Sequence, residues 1–173
     1  MADEAPARPE PDWASDERTT LVQFLDYYRT TLERQAFGLT DAQAATASTE
    51  PSMLTLTGLV RHMHDVERNW FRRCFDGETI DPEYYSRERP DGDLEVDEST
   101  SLAGAVAAWR AEIAICDRIL GKVTDMNQLA TGRSSSGGRP NMRWVLVHLI
   151  EEYARHCGHA DLIRERIDGA VDL

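Results

Sequence analysis

The apolar residues of this chain recur at three- and four-residue spacings in four long segments, and this periodicity constrains the fold more than any other feature. The first segment carries Leu21, Phe24, Leu25, Tyr28 and Leu32 on a single stripe of a helix. No segment alternates apolar and polar residues convincingly over the length of a strand. The sequence therefore predicts four amphipathic helices packed as an all-α four-helix bundle.

The predicted helices are separated by segments rich in glycine, proline and polar residues. They cover approximately residues 16–37, 53–75, 101–120 and 141–168. Residues 76–100 lack periodicity and form a long crossover loop between the second and third helices; loops of that length are usually functional or mobile. A length of 173 residues suits one domain. We expect residues 1–14 to be a flexible acidic segment and residues 15–173 to be a single bundle domain.

Composition excludes several classes of partner. The chain has 19 basic and 31 acidic side chains, a net charge of −12, which disfavours binding to nucleic acid or to anionic lipid. Without a long apolar run or a secretion signal, the sequence predicts a cytoplasmic protein. Cys74, Cys116 and Cys157 lack a C-x-x-C spacing, so we expect reduced thiols that pack as small hydrophobic residues.

Two other groups of residues are assigned structural roles. Trp70, Trp109 and Trp144 fall on or beside helical stripes, and the large area that a tryptophan buries predicts core positions for all three. Residues 134–140, which read Ser-Ser-Ser-Gly-Gly-Arg-Pro, are predicted to form a flexible loop. Serine catalysis has no support there, because no base is positioned by the sequence.

Glu152 and His156 break the pattern of the fourth helix. With Val145 as the reference and about 100° per residue, both fall at the centre of the apolar face, and His148 and His159 fall on its flank. An unpaired carboxylate in a core costs several kcal/mol or more, so Glu152 requires a partner or a cation. Residues four apart on a helix can reach one ion, and imidazole with carboxylate suits Zn²⁺, Ni²⁺, Fe²⁺ or Mn²⁺.

A third ligand would come from the second helix, which carries the remaining histidines, His62 and His64. Each lies about 100° from the centre of that helix's apolar face, on opposite sides, so periodicity does not choose between them. The pattern also fits a buried, hydrogen-bonded Glu–His pair as well as it fits a metal site.

The motifs of these two helices resemble the DinB/YfiT-like superfamily, and specifically its actinobacterial branch. The resemblance rests on Gly58–Met63, Glu67–Phe71, Arg143–His148 and Glu152–His159, and it extends over roughly residues 20–169. It implies a four-helix bundle that holds a divalent metal on three side chains. Better-known members have His-x-x-x-His on the last helix. Glu at the first of these positions is similar to the mycothiol-dependent maleylpyruvate isomerases.

Carried over residue by residue, the resemblance implies metal ligands at His62, Glu152 and His156. It also implies an enzyme that uses mycothiol as cosubstrate, either as a thiol S-transferase or as a thiol-dependent isomerase, on a small electrophile, in detoxification. Zn²⁺ is the expected metal, and a coordinated thiol would ionise to the nucleophilic thiolate.

Other side chains near the expected ligands are candidates for supporting roles. Asp65, Arg155 and His159 are expected to support the ligands, and His148 is expected to bond Glu152 or to shuttle a proton. Arg155, His148 and His159 are therefore the candidate catalytic residues.

Two alternatives to thiol transfer stay open. One is a metal-dependent hydrolase, in which water takes the open position on the metal. The other is a non-enzymatic, stress-related bundle that binds a ligand in its cavity. A homodimer is compatible with either function, although the sequence identifies no spare apolar face for it.

Overall fold

The computed structural model describes residues 4–171, and its regular structure is helical. Five α-helices follow one another along the chain: α1 (Glu17–Ala36), α2 (Asp41–Ala44), α3 (Leu56–Glu67), α4 (Leu102–Lys122) and α5 (Met142–Asp168). No β-strand occurs within residues 4–171, where one isolated bridge is formed. None of the helices described is long and apolar enough to cross a bilayer. The predicted all-α bundle is confirmed, with α2 as a short additional helix.

The limits of the long helices are set by capping residues. The side chains of four N-cap residues accept hydrogen bonds from backbone N–H groups of the first turn: Asp16, Thr55, Ser101 and Asn141. Such a cap typically contributes about 1 kcal/mol to stability. At the other end of α5, Gly169 takes a left-handed φ of +77°, which glycine adopts without a steric penalty. The third predicted helix was expected to end at residue 120, before Gly121, but α4 continues to Lys122.

The second predicted helix consists of an α-helix followed directly by a π-helix. The α-helical part, α3, begins at Leu56 rather than near residue 53, and a π-helix, Arg68–Asp76, continues it without a break. The π-helix ends at Gly77, whose φ is +80°. A π-helix has one more residue per hydrogen-bonded ring, and this form is rare and frequent at functional sites. It shifts the side chains beyond Glu67 from the directions that an α-helical period predicts.

A buried polar network ties the four long helices together at the centre of the bundle. We call Arg29, Glu67, Trp109 and Tyr153 the central network; each comes from a different long helix. The Arg29 guanidinium donates to both carboxylate oxygens of Glu67, at 2.7 and 2.9 Å. Tyr153 Oη donates to Glu67 Oε1 at 2.9 Å and accepts from Trp109 Nε1 at 2.9 Å. Apolar side chains surround this network. Its hydrogen bonds can form only at one relative position of the four helices, and they therefore fix how the helices align.

The crossover loop, residues 77–101, is held against α3 by two side chains. Asp65 accepts hydrogen bonds from the backbone N–H groups of Glu83 at 2.8 Å and Tyr84 at 2.9 Å. The Arg61 guanidinium donates to the Gly92 carbonyl at 2.8 Å and covers the ring of Tyr84. A side chain at Gly92 would meet the Tyr84 carbonyl at 2.5 Å, so the loop folds back on itself only with glycine there. These contacts hold the next residue, Asp93, against the bundle.

The residues before α1 lie along that helix. Arg34 donates to the carbonyl of Pro6 at 2.7 Å, and Asp12 forms hydrogen bonds with Gln23 in both directions, at 2.9 Å. Residues 1–3 and 172–173, which belong to the predicted segment and domain limits, lie outside the described residues. The division into residues 1–14 and 15–173 stays a prediction.

Candidate metal centre

Three side chains from two helices converge where α3 packs against α5. His62 on α3 and Glu152 and His156 on α5 each offer one donor atom, and these atoms lie within 4.8 Å of one another. Glu152 Oε2 lies 3.6 Å from His156 Nε2, and the rings of His62 and His156 have centroids 4.7 Å apart. Two imidazoles and one carboxylate therefore face a common point.

The two residues on α5 lie at the edge of its buried face, which differs from the sequence prediction. The centre of that face is formed by Leu149, Tyr153 and Cys157, which are buried, whereas the side chains of Glu152 and His156 are 18% and 13% exposed. The prediction of a central position was wrong, because the buried face is rotated towards Tyr153 and Cys157. The edge position leaves both groups accessible to a small molecule.

The two histidines of α3 have different surroundings. His62 is turned towards α5, but His64 is buried on the other side, where its Nδ1 lies 3.1 Å from Asp65 and its ring packs on Tyr84. The rotation of α3 in the bundle thus brings His62 to Glu152 and His156. Asp65, expected to support the metal ligands, instead anchors the crossover loop.

Both candidate imidazole ligands are oriented through their other ring nitrogen. His62 Nδ1 lies 2.7 Å from Asp93 Oδ2, and His156 Nδ1 lies 3.3 Å from His159 Nδ1. Contacts of this type fix the ring and its tautomer, and they leave Nε2 for the ligand. Asp93 is 5% exposed and 31 residues from His62 in the sequence. Its contact with His62 was not predicted, because no periodicity marks a loop residue.

The charges around Glu152 favour its ionised form. The neighbouring His156 imidazole lowers the pKa of Glu152 below its ordinary value against the opposing effect of partial burial, and His148 and His62 add to the lowering. Burial and the nearby His156 and Arg155 lower the pKa of His159, so this ring tends to be neutral. The site thus presents an ionised carboxylate among imidazoles.

The donor set fits a divalent transition-metal ion. Two nitrogens and one oxygen are the ligands of many catalytic zinc sites, and ligands of a tetrahedral zinc lie about 3.3 Å apart. The 3.6 Å between Glu152 Oε2 and His156 Nε2 is near that value and is long for a hydrogen bond. Three protein ligands also leave a position open, as catalytic sites require.

His148 and Arg155 lie on the outer side of Glu152. His148 Nε2 is 3.4 Å from Glu152 Oε1, and Arg155 forms an ion pair with Glu151 and approaches Glu152 Oε2 at 4.0 Å. A second group of possible ligands, His148, Glu151 and Glu152, shares Glu152 with the first. This second group lies on a single helix, and Glu151 is exposed.

Aromatic rings adjoin the candidate ligands. Trp144 stacks on His148 with centroids 4.9 Å apart and planes at 17°, and Trp70 meets the His148 ring at 4.5 Å. Trp109 is buried as predicted, and Trp70 is half-buried against the core. Trp144 is 47% exposed, so its predicted core position was wrong: Val145 and Leu146 form the buried face there.

The cysteines are all free and buried. Burial raises the pKa of Cys157 to about 12 and also raises the pKa values of Cys74 and Cys116. Because a thiol reacts as its thiolate, none of the three is activated as a nucleophile. A thiol that reacts at this site would therefore come from another molecule.

Comparisons with known proteins agree with this architecture. The sequence model of a family described as mycothiol-S-transferase matches residues 20–169. A crystal structure of a conserved protein from Enterococcus faecalis is similar in fold, with a TM-score of 0.59 and 15% sequence identity. The similarity covers 91% of this chain and 100% of that chain, and at this identity it supports the fold alone. Among curated proteins, none matches this chain.

Proposed function

We propose that this chain, which belongs to the mycothiol-S-transferase family, is a divalent-metal-dependent enzyme that joins mycothiol, through its sulfur, to a small electrophile. The observation that carries the proposal is the convergence of His62, Glu152 and His156, with both imidazoles oriented by other side chains. Such orientation is typical of histidines that bind metals and is unnecessary for a simple surface contact.

The metal that we propose is Zn²⁺, although Ni²⁺, Fe²⁺ and Mn²⁺ accept the same donors. His62 and His156 would bind through Nε2 and Glu152 through a carboxylate oxygen. A divalent cation held there would lower the pKa of a thiol within its reach and would so favour the thiolate. Asp93 and His159 are then positioning residues, since each contacts the Nδ1 of a ligand.

The reaction needs a base that accepts the thiol proton and a leaving group that accepts the electrons of the broken bond. We assign the base to His148, whose half-exposed ring lies 3.4 Å from Glu152. The sulfur electron pair forms the new C–S bond, and the leaving group departs with the electrons of the bond that breaks. If the electrophile is an epoxide, the C–O bond breaks and the oxygen takes up a proton, so no further reactant is required. Arg155 is assigned to balance the charge of Glu151 and Glu152.

The first experiment is metal analysis of the purified protein and three variants. Glu152→Gln removes a candidate ligand charge, and Glu151→Gln is its matched control because this neighbour lies on the same helix but outside the His62 cluster. We expect about one metal ion per chain in the wild type and in Glu151→Gln, and at least a tenfold loss in Glu152→Gln. His156→Ala should lose the metal as well; equal metal content in this variant would exclude His156 as a ligand.

The second measurement is product formation with and without mycothiol. Conjugation that requires mycothiol and is lost in His156→Ala is the expected result. Turnover without any thiol would contradict the proposal and favour the hydrolase. A protein purified without metal, whose melting temperature does not change when Zn²⁺ is added, would instead favour a non-enzymatic binding bundle.

A further inference from the structure

A small cleft opens directly beside His62. Its volume is about 200 Å³, and it lies between α3, the start of the π-helix and the crossover loop. Trp70 and Val66 line it from the helical side, and Tyr85 and Pro90 line it from the loop. Because His62 and its partner Asp93 also belong to the lining, a molecule in this cleft lies next to one of the three candidate ligands.

Trp70 connects this cleft to the exposed aromatic surface of α5. Its ring centroid lies 4.9 Å from that of Trp144 and 4.5 Å from that of His148. Trp144 stacks on His148, and nearly half of its surface is exposed. The three rings form what we call the aromatic shelf, defined by Trp70, Trp144 and His148. His148 connects the shelf to the candidate metal centre, because its Nε2 lies 3.4 Å from Glu152 Oε1.

The size and charge of the cleft restrict its occupant. Pockets for drug-sized molecules have volumes of about 300–1,000 Å³, so this cleft suits a ligand of about one ring and is too small for the whole of mycothiol. Its lining contains no lysine or arginine that would hold an anion. Its two acids, Asp65 and Asp93, are engaged with the amides of Glu83 and Tyr84 and with His62. An uncharged occupant therefore fits best.

The aromatic lining specifies the shape of that occupant. Flat rings pack on indole and phenol faces in offset-stacked or edge-to-face arrangements, which contribute beyond the area that they bury. We propose that the cleft and the aromatic shelf together are the electrophile subsite, and that they select an uncharged, planar aromatic electrophile. The identification of the occupant as the electrophile rests on the proposed function. The preference for an aromatic ring does not depend on it, because that preference is tested by binding without turnover.

The test of binding uses an unreactive pair of diols. Titration of the ¹⁵N-tryptophan-labelled protein with 1-phenylethane-1,2-diol should shift the indole signals of Trp70 and Trp144, whereas hexane-1,2-diol should bind about three- to tenfold more weakly. Trp144→Leu should abolish most of this difference. Trp13→Leu is the matched control, since Trp13 is fully exposed and outside the shelf and the lining of the cleft. Equal binding of the two diols, or no shift at Trp70 and Trp144, would overturn the inference.

The test of turnover uses the matched epoxides, styrene oxide and 1,2-epoxyhexane, with mycothiol. Trp144→Leu should raise the KM for styrene oxide about three- to tenfold and leave the KM for 1,2-epoxyhexane nearly unchanged. If both epoxides are conjugated and Trp144→Leu changes neither KM, the subsite is wrong and the proposed function stands. If neither is conjugated but the aromatic diol binds at the shelf, the subsite stands and epoxides are excluded as the electrophile. A rise in KM for mycothiol alone would overturn the subsite by assigning the shelf to the thiol.

Discussion

Glu67 and Glu152 are two glutamates on packed helices, and they differ in how their oxygens are satisfied. Glu67 is fully buried and accepts three hydrogen bonds of 2.7–2.9 Å from Arg29 and Tyr153. Glu152 is partly exposed, and its nearest cationic or imidazole groups lie at 3.4 Å (His148), 3.6 Å (His156) and 4.0 Å (Arg155). Both oxygens of the first carboxylate are hydrogen-bonded by the protein, and the second carboxylate has neighbours at the spacing of metal ligands.

This difference separates a structural carboxylate from a candidate functional one. A buried charge requires full pairing, since breaking such a pair leaves an uncompensated charge in the core. The central network meets that requirement by contributions from every long helix, and its complete burial at Glu67 keeps other ligands away. At the edge of the bundle, solvent reduces the cost of loose pairing, so Glu152 keeps the capacity to bind a cation. Burial and pairing distance, rather than residue type, distinguish the two sites.

The largest expected effect is that of removing Glu67. Glu67→Ala leaves the buried Arg29 without its one buried partner, since Asp26 and Asp117, which pair with its Nη1, are half-exposed. The substitution should lower the free energy of unfolding by about 3–5 kcal/mol. Glu152→Ala in the metal-free protein should lower it by less than about 1 kcal/mol. Urea denaturation of both variants measures the contrast.

A double variant tests whether pairing is the reason. Arg29→Met combined with Glu67→Met removes both charges, and it should recover much of the stability that Glu67→Ala loses. Similar losses for Glu67→Ala and Glu152→Ala would remove the distinction between the two glutamates.

A smaller effect is expected from the partner of His62. Asp93→Asn keeps the size of the side chain but removes the charge that holds Nδ1, and it should weaken metal binding about 10- to 100-fold. Competition with a chromophoric chelator measures the affinity. Asp91→Asn, two residues away on the same loop and exposed, is the control and should bind the metal like the wild type. Unchanged affinity in Asp93→Asn would mean that the ring of His62 needs no support from the loop.

The smallest effect concerns Asp65, which is buried like Glu67 but holds a loop. Burial alone would raise the pKa of Asp65, but His64 and the amides of Glu83 and Tyr84 outweigh it and lower the pKa below the usual 3.8. A lowered pKa in the folded state stabilises the protein above pH 3.8, and this contribution is lost as the pH falls through the folded value.

Comparison with Asp65→Asn isolates that contribution. The wild type should be more stable than the variant by about 1 kcal/mol at pH 6, and the difference should shrink below pH 4. Urea denaturation at several pH values measures it. A difference that grows towards low pH would contradict the assignment.

The fold was predictable because a bundle is encoded in local periodicity. The stripe of Leu21, Leu25 and Leu32 and the caps at Asp16 and Asn141 are sufficient to locate two helices. The π-helix was not predicted, because a change of hydrogen bonding from one ring size to another leaves the spacing of apolar residues nearly intact. The central network was also missed. The sequence did contain a signal for this network, because Arg29 and Glu67 fall at helical spacing among the buried residues of their stripes.

The candidate site was predictable only in part. The spacing of Glu152 and His156 identified a pair on one helix, but the choice of His62 over His64 depended on the rotation of α3, which periodicity left undecided and the resemblance supplied. The exposure of Trp144 depends on which neighbour faces the core. Asp93 was beyond prediction, because its position is set by the tertiary contacts of a loop. The metal itself stays a proposal.

The contact between Asp93 and His62 has an evolutionary consequence. A candidate ligand is steered by a surface segment, and such segments accept substitutions and changes in length more readily than packed helices do. Descendants of this chain can thus diversify their reactivity by altering exposed positions of the crossover loop while Gly92, Asp93 and every candidate ligand stay the same. Paralogues with identical ligand sets need not share a substrate.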